Sequence, residues 1–125
     1  MDRPAMIFSG VVLDSPDAQT LAAFYRDLLG WAVRDDEPGW VVLSAPSGQT
    51  NLAFQTENAY VRPIWPAGPG EPQMMLHLDF KVDDLEAATA YAQRVGAVLP
   101  DHQPQVDVRV MLDPAGHPFC LWVDA

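Results

Sequence analysis

The sequence has little cysteine, little positive charge and no long apolar run. Cys120 is the single cysteine among 125 residues, so no internal disulfide can form, and no CxxC or Cys/His cluster indicates structural zinc. Seven basic residues stand against seventeen acidic ones, and the resulting formal charge of −10 repels phosphate backbones and anionic lipid. No apolar run approaches the roughly 20 residues that span a bilayer, and the N-terminal residues lack the apolar stretch of a signal peptide. We therefore expect a cytoplasmic protein that binds neither nucleic acid nor membrane.

The first half of the chain predicts a strand, a helix and three further strands. The run MIFSGVVL at 6–13 is mostly apolar and rich in β-branched residues, which favours a strand. Ser15, in the tripeptide SPD, is the predicted helix cap, followed by a proline suited to the first turn. Gly30 ends the helix. WAV, WVVLSAP and NLAFQ then predict three strands, separated by turns at DDEPG and SGQT. The apolar face of the helix recurs at helical spacing: Leu21, Phe24 or Tyr25, and Leu28.

The second half repeats this order. LHLDFKV at 76–82 predicts a strand, and Asp83 with Glu86 three residues later has the form of a capping box. Gly96 ends the second helix, 66 residues after Gly30. The predicted buried face of this helix comprises Leu85, Ala88, Ala92 and Val95.

Two pairs of segments carry the repeat residue by residue. AAFYRDLLGWAV at 22–33 aligns with ATAYAQRVGAVL at 88–99, and VLSAPSG at 42–48 aligns with MLDPAGH at 111–117 with one residue adjusted. A duplication of about 50 residues is the simplest account. Strand–helix–strand units also occur in other α+β domains, including ferredoxin-like ones, so the repeat alone leaves that alternative open.

We predict a single domain over residues 1–125. Its modules are residues 6–57 and 74–125, and a proline-rich segment at 58–73 lies between them as a linker or as a lid over a site.

Three segments resemble a known family: LAAFYRDLLGW at 21–31, HLDFKVDDLEAA at 77–88 and LDPAGHPFCLW at 112–122. In this order and spacing they are similar to the glyoxalase-like branch of the vicinal-oxygen-chelate superfamily, which includes bleomycin-resistance proteins and extradiol dioxygenases. The resemblance implies an α+β fold of two βαβββ modules, each with a curved, mostly antiparallel sheet around a cleft. It also implies a homodimer and a divalent metal held by four side chains, one from each of four strands.

Carried over by spacing, the four ligand positions of the family fall on Gly10, Gln55, His77 and Cys120. This set departs from the family pattern, because Gly10 has no side chain, Gln55 is a neutral and weak ligand, and Cys120 replaces a carboxylate. Hard cations prefer oxygen ligands, whereas imidazole and thiolate suit zinc or copper. We therefore predict no bound cofactor; if a divalent metal binds at all, His77 and Gln55 are its expected ligands.

Strand alternation predicts which side chains face the cleft. His77 and Asp79 alternate with apolar residues and share one face of their strand. The same rule places Cys120 and Trp122 on the cleft face of FCLWV, and Gln55 on that of NLAFQ.

Four tryptophans are many for a core this small, and aromatic walls suit planar or apolar ligands. Trp122 is the stronger pocket candidate, and Trp65 is the predicted lid residue. Trp40 fits either the pocket or the helix–sheet core, and Trp31 fits the core. The predicted ligand-binding residues are therefore Gln55, His77, Asp79, Cys120, Trp122, Trp65 and Trp40.

Two functions follow from these residues. The first is a metal-independent binder of a small aromatic or apolar molecule, of the sequestration or resistance type. The second is a lyase, isomerase or dioxygenase that uses His77 as metal ligand, or His77 with Asp79 as acid and base. An interaction module without a ligand is a weaker third possibility.

Overall fold

The first half of the chain folds as the predicted strand, helix and three strands in a computed structural model that describes residues 2–48 and 50–124. The sheet order within the described part of this half is β1-β4-β3-β2, with β1 and β4 parallel and the other pairs antiparallel. The predicted turn at 47–50 includes Gln49, which lies outside the described residues. The elements are β1 (Gly10–Ser15), α1 (Ala18–Leu29), β2 (Ala32–Glu37), β3 (Trp40–Ser44) and β4 (Asn51–Thr56).

The predicted start of β1 and the predicted cap of α1 are both wrong by a few residues. β1 begins at Gly10 rather than at residue 6, because its partner β4 begins at Asn51. The cap of α1 is Asp17, whose carboxylate accepts hydrogen bonds from the N–H groups of Gln19 and Thr20. Ser15 instead ends β1, where its Oγ accepts the Asp17 N–H at 3.1 Å. A carboxylate satisfies the free N–H groups and also interacts favourably with the helix dipole, so Asp17 is the better cap.

α1 packs on β3 and β4. Leu21 and Tyr25 are buried, and the Tyr25 ring stacks on Phe54 with centroids 5.5 Å apart. Leu28, predicted on this face, is half-buried, and small alanines complete the face instead. The helix ends as predicted at Gly30, which has a φ of 71° and donates its N–H to the Arg26 carbonyl.

The second half has its strands and helix in the same order as the first, but one of its strands is reduced to a single bridge. Its described strands form a mixed sheet in the order β5-β7-β6, with β5 and β7 parallel. The counterpart of β2 is a single bridge between Val98 and Leu112, whose two N–H···O bonds measure 2.9 and 2.8 Å. The elements are β5 (Leu78–Lys81), α2 (Leu85–Arg94), β6 (Val108–Leu112) and β7 (Pro118–Trp122).

The capping box predicted at Asp83 is wrong by one residue. Asp84 caps α2, because its carboxylate accepts the Ala87 N–H at 3.0 Å. On the predicted buried face Ala92 is fully covered, and Thr89 is buried with it. The remaining three residues of that predicted face are half-buried: Leu85, Ala88 and Val95.

The two halves repeat in register. The caps Asp17 and Asp84 lie 67 positions apart, and so do the first residues of β4 and β7, at 51 and 118. β3 and β6 begin 68 positions apart, at 40 and 108. This near-constant offset supports the duplication.

The described chain forms two compact units, one ending at Asn58 and the other beginning at Ala59. Most of the proline-rich segment therefore belongs to the second unit. Within that unit, Tyr60 Oη donates to the Ala115 carbonyl at 2.7 Å, and Arg62 Nη1 donates to the Pro114 carbonyl at 2.9 Å. Across the described residues, neither helix combines the length and apolarity needed to cross a membrane.

Candidate functional site

Three predicted site residues meet on one face of the second unit's sheet. Asp79 on β5 and Cys120 on β7 are register partners, and His77 immediately precedes β5. His77 Nε2 lies 3.1 Å from Asp79 Oδ1. Nitrogen, oxygen and sulfur atoms of the three side chains all lie within 4.8 Å of one another. Strand alternation thus correctly predicted that these residues share a face.

The Cys120 thiol is held in its protonated form. Burial raises its pKa, and the charge of Asp79 and a hydrogen bond to that carboxylate raise it further, from 9.0 to about 11. The thiol therefore donates to Asp79. Since thiolate is the form that attacks electrophiles and binds metals, the raised pKa makes Cys120 less reactive than an ordinary thiol at neutral pH.

A second polar group lies two residues further along the same face. Lys81 pairs with Trp122 across β5 and β7, and its ammonium lies 5.4 Å from the centroid of the indole ring. Lys81 Nζ also lies 2.9 Å from Asp124 Oδ2. Trp122 is half-buried, so part of its ring remains open to contact.

The first unit holds two other predicted residues. Gln55 on β4 pairs with Trp40 on β3 and with Asp14 on β1. Gln55 Nε2 donates to Asp14 Oδ1 at 3.3 Å. Trp40 is half-buried, so these three residues form a polar and aromatic row across the sheet.

Trp65, the predicted lid residue, belongs to the second unit. Its ring centroid lies 5.5 Å from that of His102, so the side chain packs on a neighbouring loop of the same unit.

The repeat identifies which positions in the two halves are equivalent. The offset of 67 aligns Gly10 with His77, Ala53 with Cys120, and Gln55 with Trp122. In the internal symmetry Ala53, rather than Gln55, thus occupies the position of Cys120.

The metal that the family resemblance implies does not fit these residues. Ala53 has no donor atom, and a Cβ at Gly10 would clash with the carbonyl oxygen of Asn51. The two remaining positions carry His77, which is engaged with Asp79, and a thiol that the same carboxylate keeps protonated. A metal would have to break both contacts and remove the thiol proton. Metal binding at these three side chains would therefore compete with the contacts that they make with one another.

Sequence reasoning missed the polar partners around the site. The alternation that groups His77 with Asp79 also places Lys81 on that face, but Lys81, Asp14 and Asp124 were not assigned to the site. Alternation along β1 places Asp14 on the same face as Gly10, and this signal was available in the sequence. The partner of Lys81 lies beyond the end of β7, where alternation no longer applies.

Comparison with known proteins gives one family and many structures. The family model described as "Glyoxalase-like domain" matches residues 10–122. No curated protein matches.

Several solved structures share the fold over nearly all of the chain. A glyoxalase/bleomycin resistance protein/dioxygenase family enzyme from Burkholderia phytofirmans PsJN is 18% identical with a TM-score of 0.72, covering 94% of this chain and 98% of its own. The antibiotic binding protein TnmS3 from Streptomyces sp. CB03234 is 20% identical with a TM-score of 0.63, covering 99% and 100%. A possible glyoxalase from Bacillus cereus is 15% identical with a TM-score of 0.67, covering 94% and 99%.

Proposed function

The chain belongs to the glyoxalase-like domain family, and from that premise we propose that it binds a small aromatic or apolar molecule without a metal. The observation that carries the metal-free part of this proposal is that His77 and Cys120 both contact the same carboxylate, that of Asp79. A catalytic metal needs deprotonated, unengaged donors on an open coordination position, whereas these groups are bonded to one another.

Trp122 supplies the aromatic contact in this proposal. Its half-buried ring offers a flat surface to a planar ligand, and stacked aromatic pairs contribute about 0.5–1.5 kcal/mol beyond area burial. His77 and Asp79 are more exposed than Trp122 and provide polar groups at the edge of that surface. Binding by TnmS3, an antibiotic binding protein of the same fold, gives a precedent for this kind of function.

The test is ligand-induced quenching of tryptophan fluorescence with a panel of planar aromatic natural products. We expect saturable quenching that is unchanged after dialysis against a chelator and is reduced in Trp122→Phe. Trp31→Phe, which removes a half-buried indole from the first unit, is the matched control and should keep the affinity. Binding that needs added metal, or an affinity unaffected by Trp122→Phe, contradicts the proposal.

A metal-free enzyme is the second candidate, because the 3.1 Å contact between His77 and Asp79 is also the geometry of an oriented general base. The panel separates the two functions. Conversion of a ligand to product, with conversion lost in His77→Ala while binding remains, favours the enzyme. Unchanged ligand recovered after prolonged incubation favours the binder.

The proposal includes a homodimer in the cytoplasm. Three consecutive apolar residues before β1 are exposed, Met6 at 85%, Ile7 at 90% and Phe8 at 65%, and contiguous exposed apolar surface is typical of interaction sites. A second copy of the chain is the partner we propose for this segment. Sedimentation velocity should show a dimer that dissociates in Ile7→Asp; a monomer at all concentrations would exclude it.

A further inference from the structure

The second unit contains a groove on the opposite face of its sheet from His77, Asp79 and Cys120. Arg109 on β6 pairs with Leu121 in the register, one position away from the Val110–Cys120 pair, so it projects to the α2 side. The groove has a volume of about 380 Å³ and is lined by Leu85, Glu86, Thr89, Ala90, Gln93 and Arg109.

The first unit has the equivalent groove in a much smaller form, at about 90 Å³. The offset of 67 or 68 aligns the helix and β3 residues around it with those around the larger groove. Two residues of β2, Val33 and Asp36, complete its lining. In the second unit the counterpart of β2 is reduced to the bridge at Val98, so residues 99–107 form no strand beside α2. The groove is larger because that strand is missing.

Two of the positions that differ between the grooves are those that contact β2 in the first unit. Val41, which is buried in the first unit, is replaced by Arg109 in the second. Gln19, whose amide donates to the Glu37 carbonyl at 2.6 Å and accepts the Gly39 N–H, is replaced by Glu86. The second unit therefore has a cation and an anion at the two positions where the first unit has side chains that contact β2.

Both charges retain binding capacity. Arg109 Nη1 donates to the carbonyl oxygens of Gln105, Val106 and Val108 at 3.0–3.4 Å, which holds the guanidinium in place. Among the described residues, its Nε and Nη2 make no hydrogen bond, and the Glu86 carboxylate has no partner. Arg109 and Glu86 also form no ion pair with each other there.

We propose that this groove binds a small ω-amino carboxylate, independently of the function proposed above. The carboxylate of the ligand would bind the free edge of the Arg109 guanidinium, a geometry that favours paired hydrogen bonds. The ammonium would bind Glu86, and the methylene chain would lie on Leu85 and Ala90. A simple carboxylate would be repelled by Glu86 and by the net charge of −10, so both ends of the ligand are needed.

The test is a ¹H–¹⁵N titration of the full chain with 6-aminohexanoate, with hexanoate and hexylamine as single-charge controls. We expect saturable shifts of the Thr89, Ala90 and Gln93 amides, with either control at least about tenfold weaker because it loses one charge-assisted hydrogen bond. Concentrations up to about 50 mM cover a millimolar dissociation constant.

Variants separate the two charges. In Glu86→Gln, a substitution on the exposed helix surface, 6-aminohexanoate should bind more weakly than to the native chain and no more tightly than hexanoate binds to the same variant. Arg109→Lys keeps the charge but loses the paired hydrogen-bond geometry. It should lower the affinity for both 6-aminohexanoate and hexanoate. Arg94→Gln lies in the last turn of α2 and outside the groove lining. It should leave the affinities for 6-aminohexanoate and hexanoate unchanged. Equal responses to all three probes, an unchanged affinity in Glu86→Gln, or no saturable shift in residues 85–93 overturns the proposal.

Discussion

The Asp79→Asn substitution tests whether this carboxylate keeps Cys120 protonated. Burial, the charge of Asp79 and its hydrogen bond together raise the thiol pKa from 9.0 to about 11. Asparagine removes the charge and leaves the burial, which is the largest of the three causes. The pKa of Cys120 should therefore fall part of the way from 11 towards 9.0.

The size of the effect on reactivity follows from two opposing contributions. A pKa higher by two units gives about 100-fold less thiolate at pH 8. The remaining thiolate is more nucleophilic, with a slope of about 0.4–0.5 per pKa unit in disulfide exchange, which restores nearly tenfold. Native Cys120 should thus react with a small disulfide reagent about tenfold more slowly than an ordinary thiol, and Asp79→Asn should recover part of that factor.

The pH profile gives the sharper readout. The rate should keep rising up to about pH 11 in the native protein, and should level off at lower pH in Asp79→Asn. Because the folded pKa is raised, the folded chain binds this proton more tightly than the unfolded chain. The contribution of Cys120 to stability is therefore complete below pH 9 and is lost as the pH rises towards 11.

The assay is stopped-flow thiol–disulfide exchange between pH 7 and 11.5, in pulses short enough that circular dichroism shows the fold intact. Cys120 is the single cysteine, so the whole signal comes from one site. Urea-unfolded protein provides the ordinary thiol, and Asp101→Asn removes an exposed carboxylate elsewhere. A native profile that levels off near pH 9, or an identical profile in Asp79→Asn, would refute the argument.

Three further predictions concern stability and are measured by urea unfolding. Gln103→Ala should lower the free energy of unfolding by about 1–3 kcal/mol. The Gln103 side-chain amide hydrogen-bonds to the N–H and the carbonyl of Val110 on β6, both at 2.9 Å, and the substitution leaves these two backbone groups without a partner. A change near zero would contradict this role. Gly116→Ala should cost more than Gly48→Ala: both have positive φ, but only at Gly116 would the new Cβ meet a side chain, at 2.7 Å, and equal costs would exclude the contact. Asp84→Ala should cost about 0.5–2 kcal/mol as a lost cap, whereas Asp83→Ala should stay within about 0.5 kcal/mol; the reverse order would restore Asp83 as the cap.

The sequence predicted the order of elements well because periodicity and helix stops are local signals. The face of α1 around Leu21 and the stop at Gly30 depend only on neighbouring residues. The caps were displaced by one or two positions because several adjacent residues can each accept N–H bonds. Only the backbone conformation decides between Ser15 and Asp17, or between Asp83 and Asp84.

The repeat alone did not predict that the counterpart of β2 in the second half is reduced to a single bridge. Residues 97–99 align with the start of β2, but Pro100 and Pro104 follow and cannot donate to a sheet. The structure satisfies the exposed edge of β6 with the Gln103 amide instead. A side chain that replaces a strand depends on loop geometry, which has no periodic signature.

Only the part of the candidate site that depends on alternation within one strand was predicted from the sequence. Alternation correctly grouped His77, Asp79 and Cys120, because a strand has a fixed period of two. The equivalence of Gln55 to Trp122 depended on strand pairing across loops of different length. That register becomes visible only when β4 is paired with β1 and β7 with β5.

The two halves diverged in chemistry while their register was kept. Core positions such as Leu52 and Phe119 remain apolar and covered at the shared offset, since a small or polar side chain there would leave a cavity or an unpaired polar group in the core. On the other face the residues differ between the halves at the same offset: Gly10, Ala53 and Gln55 in the first half correspond to His77, Cys120 and Trp122 in the second. On the helix side, the reduced strand leaves the position of Arg109 open. In the first half, a charged side chain at the covered position of Val41 would be buried without a partner. Polar and charged side chains therefore occur on both faces of the second sheet, and the two proposed binding functions predict that substitutions there change ligand affinity.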